Sequence, residues 1–194
     1  MIRVNEYGRS MIEMLGVLAI VGVLSVGGMS GYSKAMTKYK MNKQVEQYSS
    51  FINNLIILSN STDLSSLPYR PTEILRYFNV IPDGMPNTGN GIRDVWGNDC
   101  HIPFLGKYIS LQPIFSSVLS VDQCINAIKN VAIPYSYYVN IGITNVATHF
   151  YSDLECNNIN KMCLRDITTT EIIAYCEEYF SSRNWSLNIQ IKVL

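Results

Sequence analysis

The sequence predicts an α+β protein in which one long N-terminal helix leads into a globular head of strands and shorter helices. Three observations carry this. Residues Met14 to Ser33 form a run without a single charge. An apolar stripe at helical spacing follows directly. Beyond it come short segments of alternating apolar and polar residues, separated by turn-rich loops. The chain has 194 residues, 47% of them hydrophobic, enough beyond the long helix to bury a core.

The charge-free run, MLGVLAIVGVLSVGGMSGYS, is about long enough to span the ~30 Å hydrocarbon core of a bilayer. A secretory signal peptide would have a shorter apolar run, of about 7–15 residues, ending at a small-residue cleavage site. A plain single-span anchor accounts for the hydropathy but gives no use to Glu13. A carboxylate at the edge of an apolar helix costs free energy unless it is paired, and the cost grows towards the bilayer centre.

Helical periodicity continues past the apolar run. Met41, Val45, Tyr48, Ile52 and Leu55 recur in steps of four and three, with Lys38, Lys43 and Glu46 off the stripe. A single helix from about Met11 to Leu58 would rise ~70 Å. SNSTDLSS then breaks it. PTEILRYF reads as a short helix with Thr72 near its start, and IPDGMPNTGNG as a loop. DVWGNDCHIPF reads as a strand entry with a glycine turn, with Trp96 as a core anchor. KYISLQPIF and PYSYYVNIGI are strand candidates. SLNIQIKV is the clearest strand, placing Leu187, Ile189, Ile191 and Val193 on one face. Two helices carry capping-box signatures: Ser120 with Gln123, and Thr168 with Glu171.

Fifteen Lys and Arg balance fifteen Asp and Glu, which argues against nucleic acid as a primary partner, since phosphate contacts need a basic excess. The chain contains no G-x-S-x-G, phosphate-loop or H-E-x-x-H pattern, and the expectation is no enzyme and no cofactor. His101 beside Cys100, and His149 near Cys156 and Cys163, match no established ligand spacing, so no metal site is expected. The five cysteines, at 100, 124, 156, 163 and 176, include no C-x-x-C pair. A cysteine-bearing domain after a membrane segment favours export and oxidation. Cys156 and Cys163 are near enough in sequence for a local bridge, and the odd count leaves one thiol over. Spacing alone leaves the connectivity open.

GRSMIEMLGVLAIVGVLSVGG resembles the type IV prepilin signature: a glycine, a new N-terminal residue, a glutamate four residues on, and then an apolar helix. The resemblance implies a leader peptide at 1–8, cut after Gly8 by a prepilin peptidase at the cytoplasmic face, and an N-methylated Arg9. It implies an assembly helix at 9–33, an amphipathic continuation at 34–58 and a pilin head at 59–194. Glu13 would neutralise the terminal amine of a neighbouring subunit or its own, setting the axial register in a bundle of helices. Arg9 departs from the family, which usually has an apolar residue there, and the helix lacks the family's frequent proline; Gly22, Gly27, Gly28 and Gly31 are the candidate points of softening.

The stretch from Leu64 to Ile102 resembles, more loosely, the head of type IVb pilins, with its "IP.GM" loop and "WG" turn. That resemblance implies a long helix packed on an antiparallel sheet, and a disulfide between Cys124 and Cys176, each on its own helix; Cys100 is then the spare thiol. The implied partners are copies of the chain in a helical filament, the peptidase, an inner-membrane assembly platform and, before assembly, membrane lipid. The implied location is the inner membrane with a periplasmic head, then a surface pilus. A minor pilin or pseudopilin of a secretion or uptake machine shares these features. A membrane-anchored binding domain that never polymerises is a further alternative. Lys34, Lys38, Lys40 and Lys43 follow the span and only Arg3 and Arg9 precede it, opposite to the positive-inside bias for an exported head; the processing signature and the cysteines outweigh it.

Overall fold

A computed structural model describes residues 11–115, 120–143, 149–156, 161–181 and 187–193. The chain divides into two units, Met1–Tyr39 and Lys40–Leu194. One helix, α1 (Met11–Ser61), supplies the described part of the first unit and the start of the second. It is unbroken through Gly22, Gly27, Gly28 and Gly31. In the first unit its apolar side chains, among them Ile12, Leu15, Leu18, Ile20 and Leu24, are exposed. Ser25, one of the hydroxyls within this run, donates to the Val21 carbonyl at 2.7 Å, so its polar group is satisfied within the helix.

In the second unit α1 becomes amphipathic. Tyr48, Ile52 and Leu55 of the expected stripe are buried, whereas Met41 and Val45 are only half-buried. The buried face widens to Gln44, Gln47, Phe51 and Leu58. The helix also runs three residues past Leu58, to Ser61. Ser59 and Ser61 there donate to the carbonyls of Ile56 and Leu58, bonds that let serine ride the last turn.

Behind α1 lies a seven-stranded sheet in the order β1-β2-β3-β7-β4-β5-β6. The strands are β1 (Gly91–Arg93), β2 (Asp99–His101), β3 (Tyr108–Ile114), β4 (Val139–Ile143), β5 (His149–Tyr151), β6 (Met162–Cys163) and β7 (Leu187–Lys192). All pairings are antiparallel except β5 with β6. The C-terminal strand is central, between β3 and β4, so the last stretch of sequence closes the sheet. Its alternation is as expected: Leu187, Ile189, Ile191 and Val193 are buried.

Three helices complete the unit: α2 (Thr72–Tyr77), α3 (Ser120–Ala127) and α4 (Thr169–Ser181). Thr168 and Glu171 form the reciprocal box at the start of α4: the Thr168 N–H donates to Glu171 Oε2 at 2.7 Å, and the Glu171 N–H donates to Thr168 Oγ1 at 3.2 Å. At α3, Gln123 is fully buried and its Oε1 accepts from Asn98 Nδ2 at 2.8 Å, a tertiary contact.

Two segments differ from expectation. PYSYYVNIGI is extended only from Val139: α3 runs on through a π turn (Ile128–Ala132) into a 3-10 turn (Ile133–Tyr135). Pro134 is tolerated in that turn because early helical positions need no N–H donor. β1 begins at Gly91, the last residue of the IPDGMPNTGNG stretch expected to be loop. Gly91 permits this, since a Cβ there would lie 2.0 Å from the Cys100 carbonyl oxygen. The β1–β2 turn is closed by Gly97 at φ +85°.

Candidate functional site

The processing residues Gly8 and Arg9 lie outside the described residues. Glu13 is exposed on α1, and it makes no ion pair with another described residue. The helix it sits on contains an 18-residue window of mean hydropathy 2.0, none of it buried. By length and composition that segment can cross a membrane. So much contiguous apolar surface is unfavourable in water and calls for lipid or other helices as its surroundings. A carboxylate at its edge has the same need for a partner, of opposite charge.

The head is cross-braced by two disulfides. Cys124 on α3 bridges Cys176 on α4 with 5.8 Å between Cα atoms, and it closes a separation of 52 residues. Cys156 bridges Cys163 with Cα atoms 4.9 Å apart, tying the segment after β5 to β6. The remaining thiol, Cys100, is fully buried beneath α1. Its sulfur lies 3.6 Å from the Tyr48 hydroxyl and 3.7 Å from the Asn98 carbonyl. Burial, with the Asp94 carboxylate nearby, pushes its pKa well above the usual thiol range, so it stays protonated and unreactive.

Beside Cys100 is a polar cluster that sequence reasoning missed. Asp94 is buried, and its carboxylate accepts from the Trp96 N–H (2.9 Å), the Asn98 N–H (2.9 Å), Asn98 Nδ2 (3.0 Å) and the Tyr48 hydroxyl (2.7 Å). Gln47 joins it by accepting from the Val95 N–H at 2.9 Å. The cluster fastens the β1–β2 turn to α1. These four donors satisfy the oxygens of the buried carboxyl group. Burial, followed by the nearby Cys100 and Asp94, raises the Tyr48 phenol well above its ordinary value. Trp96 is half-buried, so it is no core anchor; its ring carries Lys40 Nζ at 5.2 Å from the centroid. The local signal for the cluster was the Asp-x-x-Gly-Asn turn, but nothing local pointed it at Tyr48.

A second network braces the segment that carries Cys156. Glu155 accepts from the Tyr108 hydroxyl at 2.6 Å and from Asn140 Nδ2 at 2.8 Å, and it pairs with Lys192 Nζ at 3.4 Å. Burial pushes the Glu155 pKa up, but the Tyr108, Asn140 and Lys192 contacts together outweigh it and hold the carboxyl below its ordinary 4.5. Burial, then the bond to Glu155, raises the Tyr108 phenol to about 12.

A depressed carboxylate pKa contributes stability above the unfolded value near 4.5, and that stability is lost as pH falls through the folded value. Thermal melts between pH 7 and pH 3 should therefore show a steeper acid loss in the native chain than in Glu155→Gln. Identical acid limbs would show that Glu155 is not the group responsible.

His149 lies over Gly142, where a Cβ would sit 2.1 Å from its Nδ1, and His101 lies on the other side of the sheet from Cys100's Tyr48 contact. Among the described residues no three His, Cys, Asp or Glu side chains cluster as metal ligands would. No family model, curated protein or solved structure matches the chain.

Proposed function

We propose that this chain is a structural subunit of a type IVb-like pilus filament, processed after Gly8 and assembled through its N-terminal helix. The observation that supports the reading best is the placement of Glu13. Among the described residues it is the one acid at the edge of an exposed apolar helix that runs on without interruption into a cysteine-bridged α+β head. A passive anchor gains nothing from a carboxylate there; a helix that bundles with copies of itself can use it against a terminal amine.

Before assembly the helix would sit in the inner membrane, with the head in the oxidising periplasm, where two disulfides can form. The assembly platform would then move it from lipid into the helical bundle of a surface pilus. The apolar surface stays covered throughout, so the transfer exchanges one dry environment for another. The head would face outward and serve adhesion, aggregation, motility or DNA transfer.

Mass spectrometry of material sheared from the cell surface tests this directly. The expected species begins at Arg9 with a methylated α-amine. A chain that keeps Met1, or that is absent from sheared material, would overturn the reading in favour of a membrane-anchored domain. A processed chain present only at very low copy would identify a minor subunit of the same machinery.

A further inference from the structure

On the sheet face turned away from α1, β1, β2 and β3 bring distant polar residues together. Side chains alternate along β2: Cys100 points into the core, so His101 points to the opposite face. His101 is in register with Gln112 on β3 and with Gly91 on β1. Asn90 immediately precedes β1, and its side-chain oxygen accepts a hydrogen bond from Arg70 Nη1. The Phe104 N–H donates to the Tyr69 carbonyl at 2.9 Å, which holds the chain before α2 against the same edge. Tyr69, Arg70, Asn90, His101 and Gln112 thereby line one cleft of about 50 Å³.

Size and charge narrow what it would take. A single water occupies roughly 10–15 Å³ on this measure, so the cleft itself admits only a group of a few atoms, such as a carboxylate, and whatever carries that group stays outside at the mouth, where Tyr69 and Asn90 are exposed. No acid lines it, and the Arg70 guanidinium uses one of its N–H groups on Asn90. Its planar fork matches a carboxylate, and the His101 imidazole offers a further donor. Tyr69 is 62% exposed and offers a flat apolar ring beside the Arg70 guanidinium. Gln112 Nε2 donates to Ser110 Oγ at 3.3 Å and Asn90 Oδ1 accepts from Arg70, which leaves the Gln112 amide oxygen to accept and the Asn90 amide nitrogen to donate to hydroxyl groups.

We propose that this cleft binds a carboxylate carried on a sugar ring: the carboxylate at Arg70 and His101, the ring against Tyr69, and the hydroxyls at Asn90 and Gln112. The site does not rest on the filament reading, and it would serve an anchored domain equally.

Ligand-observed NMR on the full chain in detergent micelles, titrated with glucuronate, glucose and acetate, tests it. Glucuronate is expected to bind with a dissociation constant on the order of 1 mM, with glucose and acetate each about tenfold weaker or more. Arg70→Ala should weaken glucuronate by about tenfold or more, and Tyr69→Ala should weaken glucuronate while leaving acetate unchanged. Both residues are exposed, so a melting curve will show the variants folded. Glucose binding as well as glucuronate, acetate binding as well as glucuronate, or an unchanged Arg70→Ala titration would each overturn the proposal.

Discussion

Replacing Glu13 with alanine is expected to leave the chain inserted in the membrane and to remove it from filaments. Insertion should survive because the substitution makes an apolar helix more apolar. Incorporation should fail because the terminal amine of a processed subunit would enter the helical bundle with no anion to meet it. Breaking a buried ion pair by deleting one partner costs roughly 3–5 kcal/mol, which corresponds to more than a hundredfold in an equilibrium. Glu13→Gln keeps the shape and loses the charge, so it should fail in the same way. Immunoblots of membrane and sheared-surface fractions separate the two steps. Unchanged surface yield in Glu13→Ala would mean that charge pairing at this helix does not drive assembly. The prediction is sharp because Glu13 is exposed and has no ion-pair partner among the described residues, so the variant removes no such contact within the chain.

The second large effect lies in the head. Removing the α3–α4 bridge with Cys124→Ala/Cys176→Ala should destabilise the domain by about 4 kcal/mol on the loop-entropy model, within a typical range of roughly 2–5 kcal/mol. The same model gives about 2 kcal/mol for Cys156→Ala/Cys163→Ala, because that bridge closes a separation of 7 residues instead of 52. Both Cys124 and Cys176 are fully buried, so lost packing adds to the first figure. Urea midpoints of the full chain, followed by tryptophan fluorescence, should rank the native chain first, the 156/163 variant second and the 124/176 variant last. A 124/176 variant within 0.5 kcal/mol of native, roughly the scatter of a neutral surface substitution, would show that the long loop is already constrained without the bridge.

The elements legible in the sequence were those written in local periods. The steps of four and three through Tyr48, Ile52 and Leu55 announced the amphipathic part of α1, and the alternation from Leu187 to Val193 announced β7. Thr168 and Glu171 marked the start of α4 because a capping box is complete within one turn. Cys156 and Cys163 were near enough to suggest each other, whereas the Cys124–Cys176 pairing came only by resemblance. β1 was hidden because its three residues follow a glycine-rich loop, and glycine reads as a turn. There the glycine is used for a close approach between strands. The parallel β5–β6 pair and the helical run before β4 were hidden for a related reason. A strand partner, or a helix that continues through a π turn, is chosen by packing against elements far away in the chain.

What the sequence by itself determined is the long helix, its charge-free first half, the acid at its edge and the α+β character of the head. These follow from which side chains tolerate water, lipid or a strand face, and neighbours in the chain already decide that. Only the tertiary structure decided where the polar side chains spend their hydrogen bonds. Tyr48 reaches Asp94 across 46 residues, Gln47 reaches Val95 across 48, and Asn126 reaches Gln44 across 82. The cleft around Arg70 and His101 is of the same kind, since strand register sets His101 against Gln112. A buried donor must find an acceptor somewhere, but the chain does not record locally which one. That choice is made when the core closes and the alternatives are lost to desolvation.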